Sequence, residues 1–274
     1  MSTTLDTPID APEESERRTL PAIWFPLAVF AAWRILDGVV AVFVYDGGFI
    51  ETGLRWDAGN YIDLTRDGYE DPSAFQPVTA FFPFIAWCAQ AVRFVIRDEL
   101  WSYTVVANVA ALGAFVGVWA AVREWRSEVV ARWAVVLLAL FPATYFLWAF
   151  YSEAAFIGLS AGAMWAAARD KPWLAGALLA ATAATRTIGI LVAVVLVVAH
   201  LWRVRRVDAR AVIYGAGGAL GIGLVMLQMW IQVDDPLAFL SVQQDWGASW
   251  SRRGRRSRTA GSASRTRRCS PTSP

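Results

Sequence analysis

The sequence predicts an all-α integral membrane protein, a polytopic helical bundle of about seven spans with a large first external loop. Three observations predict it. Apolar residues make up 57% of the 274-residue chain and mean hydropathy is +0.41, well above the range of soluble domains. These residues gather into runs close to the roughly 20 residues that one bilayer crossing takes. Between the first two runs, from Tyr45 to Val78, seven carboxylates (Asp46, Glu51, Asp57, Asp63, Asp67, Glu70, Asp71) stand against two arginines, a composition that belongs in water.

In chain order, residues 1–19 carry Asp6, Asp10, Glu13, Glu14 and Glu16 and then Arg17-Arg18, with no apolar run. They read as a short disordered cytoplasmic tail. The run that follows, Leu20 to Val44, is too long for a signal-peptide core and reads as an uncleaved first helix. Further spans are expected over Thr79–Ile96, Trp101–Val122, Val130–Phe150, Ala154–Ala168, Trp173–Leu201 and Ala211–Ile231. The fifth is short and the sixth long.

Arginines near span ends set the orientation, because basic residues stay in the cytoplasm. Arg17-Arg18 places the N-terminus inside, and Arg203, Arg205, Arg206 and Arg210 place their loop inside. The acidic loop and the segment after Ile231 then face out. In this scheme Arg123, Arg126 and Arg132 also fall outside, against the rule. Three Gly-x-x-x-Gly spacings (Gly113–Gly117, Gly158–Gly162, Gly217–Gly221) read as sites of close helix packing.

Within the acidic loop, Trp56-Asp57 can open a short helix, with Asp57 accepting from free backbone N–H groups and Gly68 supplying the stop. At helical spacing Asp57, Tyr61, Leu64 and Gly68 share one face, and Asp63, Arg66, Asp67 and Glu70 share much of the other. A capping aspartate needs no catalytic role, so chemistry alone leaves Asp57 open between the two.

Charges inside spans are costly unless paired or wetted. Arg34 and Asp37 lie three apart on one helical face and read as a structural pair. Arg186 falls near the middle of Trp173–Leu201 with no acid nearby in sequence. It suits either a phosphate contact, through its forked donors, or an ion pair with Glu153 or Asp37. Cys88, Cys269 and the single His200 support neither a disulfide framework nor a metal cluster. No metal site and no cofactor are expected, and His200 reads as an interfacial side chain at a helix end.

The motifs in order add a resemblance. Arg55-Trp56-Asp57-Ala58, then Gly68-Tyr69, then Ala80-Phe81-Phe82-Pro83 resembles the first external loop of the PIG-V family, membrane mannosyltransferases of the GT-C class. Phe141-Pro142 followed by Tyr151-Ser152-Glu153, an arginine turn at Arg186 near Gly189, and Asp235-Pro236 with Gln243-x-x-Trp246-Gly247 are also similar to that family. The resemblance runs from about Arg55 to Trp250. It implies a GT-C fold and sugar transfer from a polyprenyl-phosphate carrier on the external face, with Asp57 as general base. It further suggests donor-phosphate contacts from Arg186 and Arg55, and acceptor or sugar contacts from Trp56, Tyr61, Tyr151, Glu153, Gln243 and Trp246. Membrane lipid and the lipid-linked sugar are then the partners, with no nucleic acid; the oligomeric state and the acceptor stay open.

Beyond Trp250 the composition changes. Residues 251–274 hold eight arginines and six serines with no acid. Met1 to Trp250 hold 17 basic against 23 acidic residues, a net of −6. The tail reads as a basic disordered segment, either the product of a frameshift or a genuine polybasic tail for anionic lipid or nucleic acid, with 20–250 as the N-terminal part of the membrane core. Two other functional classes fit the composition. A transporter or lipid flippase would line a path with Arg34, Asp37, Arg186 and Glu153, and an inactive membrane fragment would act as a scaffold.

Overall fold

The computed structural model describes residues 23–44, 49–70 and 78–242, and among these every regular element is a helix. Asp57, Arg186 and Glu153 therefore have a described setting; the terminal tails, Asp46, Asp71, Gln243 and Trp246 lie outside the described residues. The helices are α1 (Trp24–Val44), α2 (Phe49–Thr52), α3 (Ala58–Asp67), α4 (Phe84–Arg93), α5 (Glu99–Trp125) and α6 (Glu128–Leu140). They continue as α7 (Tyr145–Trp148), α8 (Glu153–Ala168), α9 (Pro172–Ala183), α10 (Gly189–Val204) and α11 (Ala209–Val233).

Sequence chemistry explains the ends. Asp98, Ser127 and Asp208 each accept from backbone N–H groups at the start of α5, α6 and α11, which satisfies donors no intrahelical carbonyl can reach. Pro172 occupies the first turn of α9, where its missing N–H costs nothing. At Phe141 the backbone is extended, as the residue before Pro142 must be.

Among the described residues three helices are long and apolar enough to cross a membrane: Trp24–Phe43, Glu99–Trp125 and Ala209–Val233. α8, α9 and α10 are shorter apolar helices packed among them. Helix α1 runs antiparallel to α5, with Trp33 stacked on Phe115 at 5.2 Å and Arg34 Nε donating to Asn108 at 2.8 Å. Glycine sets the tightest contacts. A Cβ on Gly158 would lie 2.9 Å from the backbone of Gly113-Ala114, and one on Gly217 or Gly221 would lie 2.2 Å from the Gly176 carbonyl or 2.1 Å from that of Ala180. The small-residue spacings are thus close-packing sites, and they lock α5 to α8 and α9 to α11.

Three expected boundaries are corrected. The Thr79–Ile96 span is a short 3-10 turn at Val78–Ala80 followed by the ten-residue α4. Pro83 interrupts the run, and α4 starts at the Arg186 turn, where Phe84 N–H donates to the Ala184 carbonyl, and ends at the start of α5, where Arg93 pairs with Glu99. The Val130–Phe150 span stops at Leu140, before Phe141-Pro142. Finally, the Trp173–Leu201 span is a helical hairpin, α9 and α10, with Arg186 in its turn and Leu179 packing with Ala193 and Leu196. Among the described residues only α1, α5 and α11 have the length of a full crossing, and the shorter α6, α8, α9 and α10 pack among them.

This rearrangement removes the conflict among the arginines. Arg123 and Arg132 pair with Glu128, Arg169 with Glu124, and Arg210 with Asp170, all at one end of the bundle. The start of α1 is there too, with Arg132 over the Phe25 ring at 5.2 Å. Helices α2, α3, α4 and α7 and the Arg186 turn gather at the opposite end.

Candidate active site

At that opposite end the chain turns sharply before α3. Trp56 has φ +53, a left-handed conformation that a bulky residue adopts only when its surroundings enforce it. Its exposed ring packs edge-on against Tyr145 at 5.3 Å. Three tyrosine hydroxyls hold this turn. Tyr145 donates to the Thr52 carbonyl at 2.6 Å, Tyr61 donates to Ser152 Oγ at 2.7 Å, and Tyr151 donates to the Arg55 carbonyl at 3.0 Å. Tyr151 also accepts from the Asp57 backbone N–H at 2.9 Å. Burial raises the Tyr61 hydroxyl above its ordinary range and pushes Tyr151 up to about 12, so both stay protonated near neutral pH.

Asp57 stands at the N-cap position of α3, yet its side chain makes no capping hydrogen bond. The expected cap is therefore corrected: with φ −63 and ψ −13, the residue already has helical backbone, which aims the carboxylate away from the free N–H groups. Among the described residues that carboxylate has neither a hydrogen-bond partner nor an ion pair. It faces a cavity of about 490 Å³ lined by Asp57, Tyr61, Phe81, Phe82, Tyr151, Glu153, Arg186 and their neighbours.

Arg186 and Glu153 meet across the cavity, Nη1 to Oε1 at 2.5 Å, both partly exposed. Arg186 is thus no lone mid-span charge; it projects from a hairpin turn and pairs with Glu153, one of the two partners considered. Glu153 opens α8, where a helix N-terminus favours an acid. Arg34 pairs instead with Asp37 at 2.7 Å, and its guanidinium lies 4.7 Å from the Trp148 ring centre. The four charges form two separate pairs, and only Arg186 and Glu153 line this cavity.

The cavity is recessed. Gly221 packs on Ala180, which sets Ala184 near the level of Val225. Val233 lies eight residues further along α11, about 12 Å at 1.5 Å per residue. Likewise Gly158 packs on Gly113, so Glu153 sits about ten residues, roughly 15 Å, below Glu99 on α5. The shortness of α9 leaves this hollow beside the taller α11.

Of the residues singled out in the sequence, Asp57, Tyr61, Tyr151, Glu153 and Arg186 come together at one cavity, while Arg55 and Trp56 sit on the exposed turn beside it and do not line it. Sequence reasoning did not single out Thr185, Thr187 or Ile188, which line the cavity from the hairpin turn. It also missed a polar clamp on α11. Gln232 Oε1 accepts from the Tyr69 N–H at 3.2 Å and from Gln228 Nε2 at 3.1 Å, and Gln228 Oε1 accepts from Trp87 Nε1 at 2.8 Å. Two glutamines one helical turn apart in an apolar span were the available signal.

The family model described as Mannosyltransferase (PIG-V) matches residues 30–205, from within α1 to the end of α10. That range takes in all five cavity residues named above. A comparison with curated proteins gives no match.

Proposed function

We propose a reaction for this chain from one premise: it belongs to the mannosyltransferase (PIG-V) family and is a membrane glycosyltransferase. The reaction moves mannose from a polyprenyl-phosphate donor to an envelope lipid or glycan acceptor. One observation carries this reading: a carboxylate with no partner of its own, Asp57, faces the same recessed cavity as the guanidinium of Arg186.

The acceptor hydroxyl approaches Asp57, which takes its proton as the oxygen attacks the anomeric carbon. The carbon–oxygen bond to the donor phosphate breaks, the electron pair leaves with that oxygen, and polyprenyl phosphate departs. Single displacement inverts the anomeric centre. Charge develops on the phosphate, where Arg186 offers guanidinium donors beyond the one given to Glu153. Glu153 orients that fork. Phe81 and Phe82 supply apolar surface against a sugar face, and Tyr151, whose hydroxyl is committed to backbone, positions the Asp57 turn. The hollow lets a lipid phosphate enter from the bilayer side while the acceptor comes from water. With the arginine-rich end cytoplasmic, the cavity faces outward and the N-terminus inward.

Membranes containing the chain, supplied with polyprenyl-phosphate-linked radiolabelled mannose, should release label into an extractable acceptor. Transfer from a sugar nucleotide but not from the lipid donor would contradict the proposal. Movement of the donor across the bilayer without bond cleavage would favour a flippase instead.

A further inference from the structure

The arginine-rich end of the bundle holds a second polar cavity, about 390 Å³, where the last turns of α5, α8 and α10 meet the first turns of α11. Its lining includes Glu124, Asp170, His200, Arg203, Arg210 and Tyr214. Most of the charges there are already matched. Glu124 pairs with Arg169 at 2.8 Å, Asp170 with Arg210 at 2.5 Å, and His200 Nε2 with Asp208 at 2.8 Å. Two groups are left over. Arg203 has no hydrogen bond or ion pair among the described residues. Tyr214 is only 3% exposed, and its hydroxyl has no hydrogen-bond partner among the described residues although the side chain lines the cavity.

Arginines near helix C-termini are accounted for by the negative ends of the helix dipoles. The Tyr214 ring is buried while its hydroxyl reaches the cavity surface with no protein partner among the described residues, which leaves it free to donate there. A cation and a hydroxyl donor facing one polar hollow, with Arg205 and Arg206 exposed nearby, form the donor set that an oxyanion takes. Exposed Trp125, Trp173 and Trp202 ring the same end, as aromatic residues do at the level of lipid headgroups. We propose that this cavity binds a phosphate-ester anion through Arg203 and the Tyr214 hydroxyl, at the end of the molecule opposite to the glycosyl-transfer cavity. A glycerophospholipid headgroup and a free phosphate share that chemistry.

The test is a thermal-melt titration of the full chain in neutral detergent. The probes are dihexanoyl phosphatidylglycerol, dihexanoyl phosphatidylcholine and inorganic phosphate. A saturable rise in melting temperature is expected with phosphatidylglycerol at concentrations where phosphatidylcholine gives none. Arg203→Gln should weaken the half-saturation point at least about tenfold and Tyr214→Phe several-fold, as lost charge-assisted and neutral hydrogen bonds do. Arg205→Gln, a change of equal charge outside the cavity, should leave it within about twofold. An equal rise with inorganic phosphate alone supports the site and assigns it to a soluble anion. No saturable response to any anion overturns the proposal, and so does equal weakening by Arg205→Gln, which would reduce the effect to the general field of the basic end.

Discussion

Tyr151 holds Asp57 by its backbone and leaves its carboxylate uncommitted: one hydroxyl accepts from the Asp57 N–H at 2.9 Å and donates to the Arg55 carbonyl at 3.0 Å. Asp57 is fixed in place without its carboxylate oxygens being engaged among the described residues.

Tyr151→Phe removes both hydrogen bonds and keeps the ring. The turnover number should fall about tenfold or more through misplacement of the base, with KM nearly unchanged. Folding stability should fall by about 1–3 kcal/mol, read as a lower melting temperature. A KM effect alone would instead make Tyr151 a substrate contact.

The same residue gives a pH dependence. Its folded pKa is about 12 against an ordinary 10.0, so the neutral form is favoured by folding. That contribution is present in full below pH 10 and is lost as pH rises through about 12. Melts of the wild type should therefore drop more steeply above pH 10 than those of Tyr151→Phe; parallel curves would contradict the assignment.

Arg186→Lys keeps the charge but loses the fork, so transfer should fall at least about tenfold, whereas Glu153→Gln should cost less. The pair is partly exposed, 39% and 31% by side chain, so its coupling in stability should be about 1 kcal/mol or less by double-mutant cycle. A larger stability coupling with unchanged transfer would make the pair structural.

Glycine substitutions test the scaffold beneath the Arg186 turn. Gly217→Ala places a Cβ 2.2 Å from the Gly176 carbonyl, against backbone that cannot give way, and should destabilise by about 1–3 kcal/mol. Gly59→Ala, with nothing within 4 Å of its new methyl, should be neutral or stabilise by up to about 1 kcal/mol. Equal melting temperatures for the two variants would contradict the close α9–α11 contact.

Some of this was legible in the sequence and some was not. Period and composition identify Leu20–Val44, Trp101–Val122 and Ala211–Ile231 as spans, because long apolar runs have few other solutions. The ordered motifs point to Asp57, Glu153 and Arg186, and the fold brings these together. The hairpin at Ala184 to Ile188 was read as one span because long apolar runs flank it on both sides, although Thr185-Arg186-Thr187 is polar and the resemblance itself carries an arginine turn there. Gly189 is a further local sign: a Cβ there would sit 2.2 Å from the Thr182 carbonyl. The α4 stretch misled for the opposite reason, since it is mostly apolar, with Gln90 and Arg93 among few polar residues, yet only ten residues of it form an α-helix. Helix-capping by Asp57 followed from residue type but depended on backbone angles that type does not determine.

The central claim is that the Asp57 carboxylate accepts the proton in transfer. Asp57→Asn keeps the side chain's size and leaves the Tyr151 contacts to the backbone, so the chain should insert and melt as the wild type does. Initial rates of mannose transfer from the lipid-phosphate donor should fall at least about a hundredfold, while donor binding is retained. Transfer at the wild-type rate by a correctly inserted Asp57→Asn protein would contradict the account.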